Sequence, residues 1–318
     1  MFRKIMSLML TSCICIATAS CSFLAGSKTK IPELARITEY TEDDEGTVEA
    51  TLFSFDGEDF IRYNSNIKYK DRDQYLKDIE RLKKLVKKTV SCKGSPAPDF
   101  SPDKIKYPIY SFIVVPRKIG EKTDPGENIV WTNGYLITDS GDAYKSDIDF
   151  SSVMGTEDLF KEEKFEVVNV LKTSCFRPLA MANGKWNTDY LYPVESEDRK
   201  RAPDVKGKVT NRYQKDGFDW ISIEFENRGD KEWNFSDSYS MDIKVDDQLY
   251  SVPRDSCRNP GTIGVMSYRN LAMKKSTTTK DYCLTPYGDL VPGDYVISIP
   301  AVCGQEDCVI LVGYTINK

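Results

Sequence analysis

The chain contains no histidine. That removes the side chain that most often shuttles protons near neutral pH, and the commonest metal ligand with it. Ser-His-Asp and Cys-His catalysis are excluded, as are His-containing zinc and haem sites. Carboxylate pairs, serine–lysine dyads, tyrosine chemistry and all-oxygen calcium sites stay open. An excess of positive charge is also lacking. The 318 residues carry 44 basic against 49 acidic side chains, and the first twenty hold Arg3 and Lys4 but no acid. Beyond them the balance is 42 against 49, a net of −7. Such a chain does not form the basic footprint that phosphate backbones require, so nucleic acid is not expected as a partner. No Cys-x-x-Cys spacing occurs, which argues against a thiolate zinc site.

What is present is ordinary for a globular chain: 40% hydrophobic and 11% aromatic residues, enough to argue against extended disorder and to fill two domains. Arg3 and Lys4 make a short positive segment. Ile5 to Ala17 is an apolar stretch of the length of a signal-peptide core, too short and interrupted for a comfortable membrane span. The following Ala17-Thr18-Ala19-Ser20-Cys21 resembles the lipobox of bacterial lipoproteins, although Thr18 stands where that box usually has leucine. The resemblance implies removal of residues 1–20, acylation of Cys21, and an outward-facing membrane anchor. Residues 21–30, rich in Ser, Gly, Thr and Lys, then read as a flexible tether. Leu10-Thr11-Ser12-Cys13 is a second candidate with the leucine but little apolar sequence before it. Cleavage after Ala17-Thr18-Ala19, giving a secreted soluble protein, and an uncleaved anchor are the alternatives.

Six cysteines follow the exported start: Cys92, Cys175, Cys257, Cys283, Cys303 and Cys308. An even number outside the cytoplasm permits three disulfides, with 15 connectivities. Cys303 and Cys308 flank Gly-Gln-Glu-Asp between alternating apolar runs and are expected to face each other across a hairpin. Cys257 with Cys283, and Cys92 with Cys175, are pairings by elimination; buried free thiols are the rival.

Residues 47–55 and 59–69 alternate like strands joined around Asp56-Gly57. A helix follows, capped by Asp71 with Gln74 reaching back, and Tyr75, Ile79, Leu82 and Val86 on one stripe. Asp73–Lys77 and Glu80–Lys84 are spaced to pair on its solvated face. Strands are expected over 109–115, 129–138 and 143–148, with Asp139-Ser140-Gly141-Asp142 turning between the last two, and partial helix over 156–174. Residues 31–192 thus read as an α+β domain of unknown function, an antiparallel sheet with one main helix. Residues 193–206, dense in charge and proline, read as a linker, and residues 207–318 as an all-β sandwich of short strands.

Within the last segment, WISIEFENRGDKEWNFSDSYSMDIKVDDQLYSVP and the later DLVPGDYVISI resemble the bacterial immunoglobulin-like domain found at the C-terminus of many surface lipoproteins. Asn227–Asp230 matches its xNxxD turn and Leu290–Tyr295 its L-x-P-G-x-Y turn. The stretch 255–264 and the Cys303/Cys308 hairpin depart from that pattern. The resemblance implies an immunoglobulin-like sandwich and no particular activity.

Three constellations bear on chemistry. Ser65-Asn66-Ile67-Lys68 matches S-x-x-K, but in an extended polar run, with only Lys172-Thr173-Ser174 echoing the K-T-G that should follow. Asp139, Asp142, Asp147 and Asp149 are spaced loosely like a calcium loop but lack its full frame, and a hairpin turn with solvated acids is the preferred account. Trp131 and Tyr135 share strand parity and are expected on one face, where with Asn133, Trp186 and Tyr190 they offer a platform for sugar rings or simply core. No catalytic set, metal site or cofactor is expected. The reading is an exported, lipid-anchored envelope protein with a non-catalytic binding role. The membrane is its partner through Cys21, with an envelope protein or glycan as a further partner. A glycan-binding or glycan-cleaving protein and a structural subunit of an envelope assembly are the alternatives.

Overall fold

The computed structural model describes residues 28–42, 46–65, 67, 71–118, 126–146, 159–195, 200–255 and 270–317. Cys21, Cys257, Lys68, Asp147 and Asp149 lie outside them. Among the described residues the chain is β-rich, 50% strand and 19% helix, and mostly antiparallel.

The first half builds one nine-stranded sheet. Its strands are β1 (Thr29–Lys30), β2 (Gly46–Phe55), β3 (Phe60–Ser65), β4 (Lys93–Pro96), β5 (Ile109–Lys118), β6 (Glu127–Thr132), β7 (Tyr135–Ile137), β8 (Ala143–Ser146) and β9 (Phe160–Phe165), in the order β1-β4-β8-β7-β6-β5-β2-β3-β9. Alternation divides the two faces. Val48, Ala50 and Leu52 of β2, and Tyr110, Phe112 and Val114 of β5, face two helices, α1 (Pro32–Glu42) and α2 (Arg72–Val90). One main helix was expected. The second, α1, escapes a periodicity search because it is short, and it is held by Ile31, Leu34 and Ile37 seated in that layer.

In α2 the Asp71 carboxylate caps the first turn, accepting from the Gln74 N–H at 2.8 Å. The Gln74 side chain does not reach back but donates forward to Asp78. Leu82 and Val86 are the fully buried part of the stripe, each contributing about 1.5–3 kcal/mol on leaving water. The ion pairs seen on this helix are Asp78–Arg81 and Glu80 with the buried Lys83, rather than the expected ones.

Two expected elements come out differently. The run 129–138 is not one strand: Asn133 (φ 46°) and Gly134 (φ 78°) form a two-residue turn, so β6 and β7 are a hairpin with Thr132 opposite Tyr135 and Trp131 opposite Leu136. The described part of 156–174, residues 159–174, holds no α-helix. Phe160–Phe165 is the edge strand β9, anchored by cross-strand pairs Arg62–Glu163 and Asp59–Lys164, and the chain then passes through short 3-10 turns.

The second half contains β10 (Tyr192–Val194), β11 (Val205–Lys215), β12 (Phe218–Asn227), β13 (Trp233–Phe235), β14 (Ser240–Val245), β15 (Gln248–Ser251), β16 (Asn270–Ala272), β17 (Ser276–Cys283), β18 (Gly293–Cys303) and β19 (Glu306–Ile316). One sheet runs β11-β12-β17; the other runs β10-β15-β14-β18-β13-β16, with β19 also on β18. Their apolar faces meet, as in the Phe225–Phe235 ring pair at 4.5 Å. Asn227, at the end of β12, is buried and fully used. Its amide donates to the carbonyls of Lys231 and Ala272, and its oxygen accepts from the Gly229 N–H.

The charged stretch between the halves is pinned where it is described. β10 pairs with β15, and Lys200 and Ala202 exchange backbone bonds with Val309. One apolar cluster also runs through both halves, from Ile113 and Val130 through Phe176 and Leu179 to Ile223, Phe235 and Ile297.

The expected disulfides are not formed among the described residues: Cys92, Cys175, Cys283, Cys303 and Cys308 are free thiols. The turn after β18 has two residues, not four, so Cys303 lies opposite Glu306, and Cys308 opposite Ala301. That diagonal separates Cα atoms by about 7–8 Å, beyond disulfide reach. Cys92 packs with the helices and Cys175 in the cluster on the other face of the sheet, so the sheet itself separates them.

Candidate binding groove

The Asn133-Gly134 turn also shapes an open groove of about 470 Å³ lined by Lys28, Ser95, Pro96, Asn133, Gly134, Tyr135, Lys145 and Ser146. Three strands, β4, β7 and β8, supply it together with Lys28 and the 133–134 turn. Ser95 of β4 opposes Lys145 of β8, which opposes Tyr135 of β7. One antiparallel step along, Lys30 of β1 opposes Lys93 of β4. Residues two apart share a face, so Lys28, Lys30, Lys93, Ser95, Lys145 and Tyr135 all belong to the side away from the helices. All four lysines are exposed.

Tyr135 is half-buried. Its ring packs on Phe100 at 5.2 Å between centroids, and the Lys104 ammonium lies 5.7 Å from its centre. Lys104 pairs with Asp99 at 3.1 Å; the shared hydrogen bond lowers the Asp99 carboxyl and raises the lysine. Behind the groove, burial pushes the Cys92 thiol up, with a hydrogen bond to Ser146 only partly opposing it. Burial pushes Cys175 up to about 12. Both therefore stay protonated at neutral pH and do not act as nucleophiles. What the lining offers is positive charge, the Ser95 hydroxyl and one aromatic ring, a set suited to holding an acidic or hydroxylated ligand.

The expected aromatic platform is dispersed. Trp131 points to the helix side, where it packs on Tyr110 at 5.7 Å, because the hairpin breaks the parity that was to align it with Tyr135. Trp186 donates to the Tyr295 hydroxyl at 2.9 Å where the two halves meet. Tyr190 is buried, its phenol raised to about 12.

The acidic turn has a structural task. Asp139 is buried and pairs with Arg177 at 3.0 Å. Arg177 opens α3 (Arg177–Ala180) and also donates to the carbonyls of Tyr287 (2.6 Å) and Asp289 (3.1 Å) in the second half. Between those carbonyls Gly288 sits at φ 60°, ψ −152°, and a Cβ there would stand 3.0 Å from the Arg177 guanidinium. Asp142 accepts from Ser140 instead of joining a metal cage. Among the described residues no three Cys, Asp or Glu side chains gather as a metal site. Ser65 lies in β3 opposite Phe160, and Lys172 to Ser174 fall in the 3-10 turns.

Arg177 and the lysines of the groove were not singled out by sequence. The Asn-Gly dipeptide at 133–134 is the signal that would have placed Tyr135 correctly. No protein-family model matches this chain, and no curated protein matches it.

Proposed function

We propose that the chain is an exported cell-envelope protein, anchored by a lipid on Cys21, whose role is binding or interaction rather than turnover, with the Tyr135 groove as its binding face. The observation that carries this reading is the concentration of Lys28, Lys30, Lys93 and Lys145 around that groove, on a chain with more acids than bases. A face of this kind selects a partner with clustered negative charge. The reading of residues 31–192 as an α+β domain rests on the nine-stranded sheet and its two helices. The immunoglobulin-like reading of residues 207–318 is supported by strand order. A sheet β11-β12-β17 faces a ladder β15-β14-β18-β19, the arrangement A-B-E against C′-C-F-G. Tyr295, whose hydroxyl donates to the Val291 carbonyl, adds a contact of the tyrosine-corner type.

The anchor is tested by fatty-acid labelling: label should enter the full chain and disappear in Cys21→Ala. Label that persists in the variant, or never enters either chain, removes the anchor from the proposal. Glycan binding keeps one supporting observation, the half-buried Tyr135 ring in the same groove lining as Ser95. An array of acidic and neutral glycans decides it: binding lost in Tyr135→Ala favours that reading, and no hits dismiss it.

A further inference from the structure

We infer that the lysine face around the Tyr135 groove rests on the anionic headgroups of the membrane in which the chain is anchored. The inference deepens the anchored-binder reading above and names the partner of that same face.

Three observations carry it. First, the sheet order β1-β4-β8-β7 assembles lysines from distant parts of the chain onto one side of one sheet edge: Lys28 and Lys30, Lys93, and Lys145. Their side chains are exposed, and among the described residues no carboxylate lies within ion-pair distance of Lys30, Lys93 or Lys145. Asp99, at the rim, is held by Lys104. The basic last turn of α2, Lys87 and Lys88, enters β4 through only Ser91 and Cys92 and so adds positive charge beside the same edge.

Second, this is where the chain arrives from its anchor. Seven residues, Cys21 to Ser27, precede Lys28. Fully extended they span at most about 25 Å. Lys28 lines the groove and β1 follows at once, so a lipid on Cys21 holds this sheet edge within that distance of the headgroups.

Third, the charge balance makes orientation matter. The chain beyond residue 20 carries a net −7. An anionic surface repels most faces of such a molecule and attracts a face carrying several lysines, within a screening length of about 8 Å at physiological salt. Tether and lysine face therefore act together.

The test uses the full chain carrying Cys21→Ala, which has no lipid of its own, so its result is independent of whether Cys21 is acylated. Flotation is measured with vesicles of phosphatidylcholine alone and of phosphatidylcholine with phosphatidylglycerol in equal parts, at low and high salt. The expected result is flotation with the anionic vesicles only, released at high salt. The triple variant Lys30→Glu, Lys93→Glu, Lys145→Glu should lower partitioning by at least about tenfold, since each lysine near such a surface is worth about fivefold. A charge-matched control on β11, Lys206→Glu, Lys208→Glu, Lys215→Glu, should keep most of the binding. The neutral triple Lys30→Gln, Lys93→Gln, Lys145→Gln should weaken binding in the same direction and guards against misfolding of the charge-reversed variant. Absence of flotation, equal flotation with neutral vesicles, equal loss in the control, or capture by soluble acidic polysaccharide in preference to vesicles overturns the inference. Failure of fatty-acid labelling with vesicle binding intact would instead overturn the anchor alone.

Discussion

Replacing Arg177 with methionine tests the contact that ties the two halves together. The guanidinium is completely buried and donates to the Asp139 carboxylate and to the carbonyls of Tyr287 and Asp289. Methionine keeps much of the aliphatic volume and supplies none of these donors. Removing one partner of a buried ion pair costs about 3–5 kcal/mol, because the other charge stays in a medium that cannot solvate it. Each carbonyl left without its donor adds about 1 kcal/mol. The expected loss is therefore about 5–7 kcal/mol, a large part of the stability of an ordinary domain. Urea unfolding followed by tryptophan fluorescence reads it, with Trp186 reporting from the same meeting of the halves. The double variant Arg177→Met, Asp139→Asn should recover about 1–2 kcal/mol, since the stranded charge is gone while the two carbonyls still lack donors. A single variant within about 1 kcal/mol of the parent, or a double variant no better than the single, would refute this account.

The neighbouring Gly288→Ala should cost about 2–4 kcal/mol in the same assay, because its φ and ψ belong to a region only glycine occupies and the added methyl meets Asp255 Oδ2 at 2.9 Å. An unchanged melting temperature would mean the loop relaxes freely. Asn227→Ala should lose about 2–3 kcal/mol, since it strands the buried Ala272 carbonyl, the part-buried Lys231 carbonyl and the Gly229 N–H at the end of β12. Hydrogen exchange at Gly229 should rise with it, and unaltered protection would contradict the assignment. For pH, burial raises the Cys175 thiol from 9.0 to about 12, so the folded state keeps a proton that the unfolded state gives up. The stability tied to that proton is whole below pH 9 and is lost as pH rises toward 12. The urea midpoint should thus fall more steeply above pH 9 in the parent than in Cys175→Ala, and parallel slopes would reject this cause.

Much of the secondary structure was legible because it is written in local chemistry. Asp71 before an apolar stripe is a capped amphipathic helix wherever it sits. Alternation in 47–55 and 221–225 can bury one face only as a strand, and the resulting elements cover those residues. The expected turn Asp139–Asp142 connects β7 to β8 as its composition requires. Failures came where a local signal was outweighed or overlooked. Asn133-Gly134 reverses the chain and sends Trp131 and Tyr135 to opposite faces. The charged run in β9 looked helical because its pairing with β3 is remote in sequence. The cysteine pairing failed because a two-residue turn sets a register that a four-residue loop would not.

By itself the sequence determined that no histidine can take part in the chemistry of these 318 residues, because side-chain inventory does not depend on folding. It also determined the β-rich, antiparallel character, through periodicity and turn residues that act over a few neighbours. Only the tertiary structure decided that Arg177 closes on Asp139 and on carbonyls more than a hundred residues away. The same holds for Lys28, Lys93 and Lys145 sharing one face. These juxtapositions follow from strand order and from the shared burial of apolar faces. Both are settled by the whole chain's packing, and no window of sequence contains them.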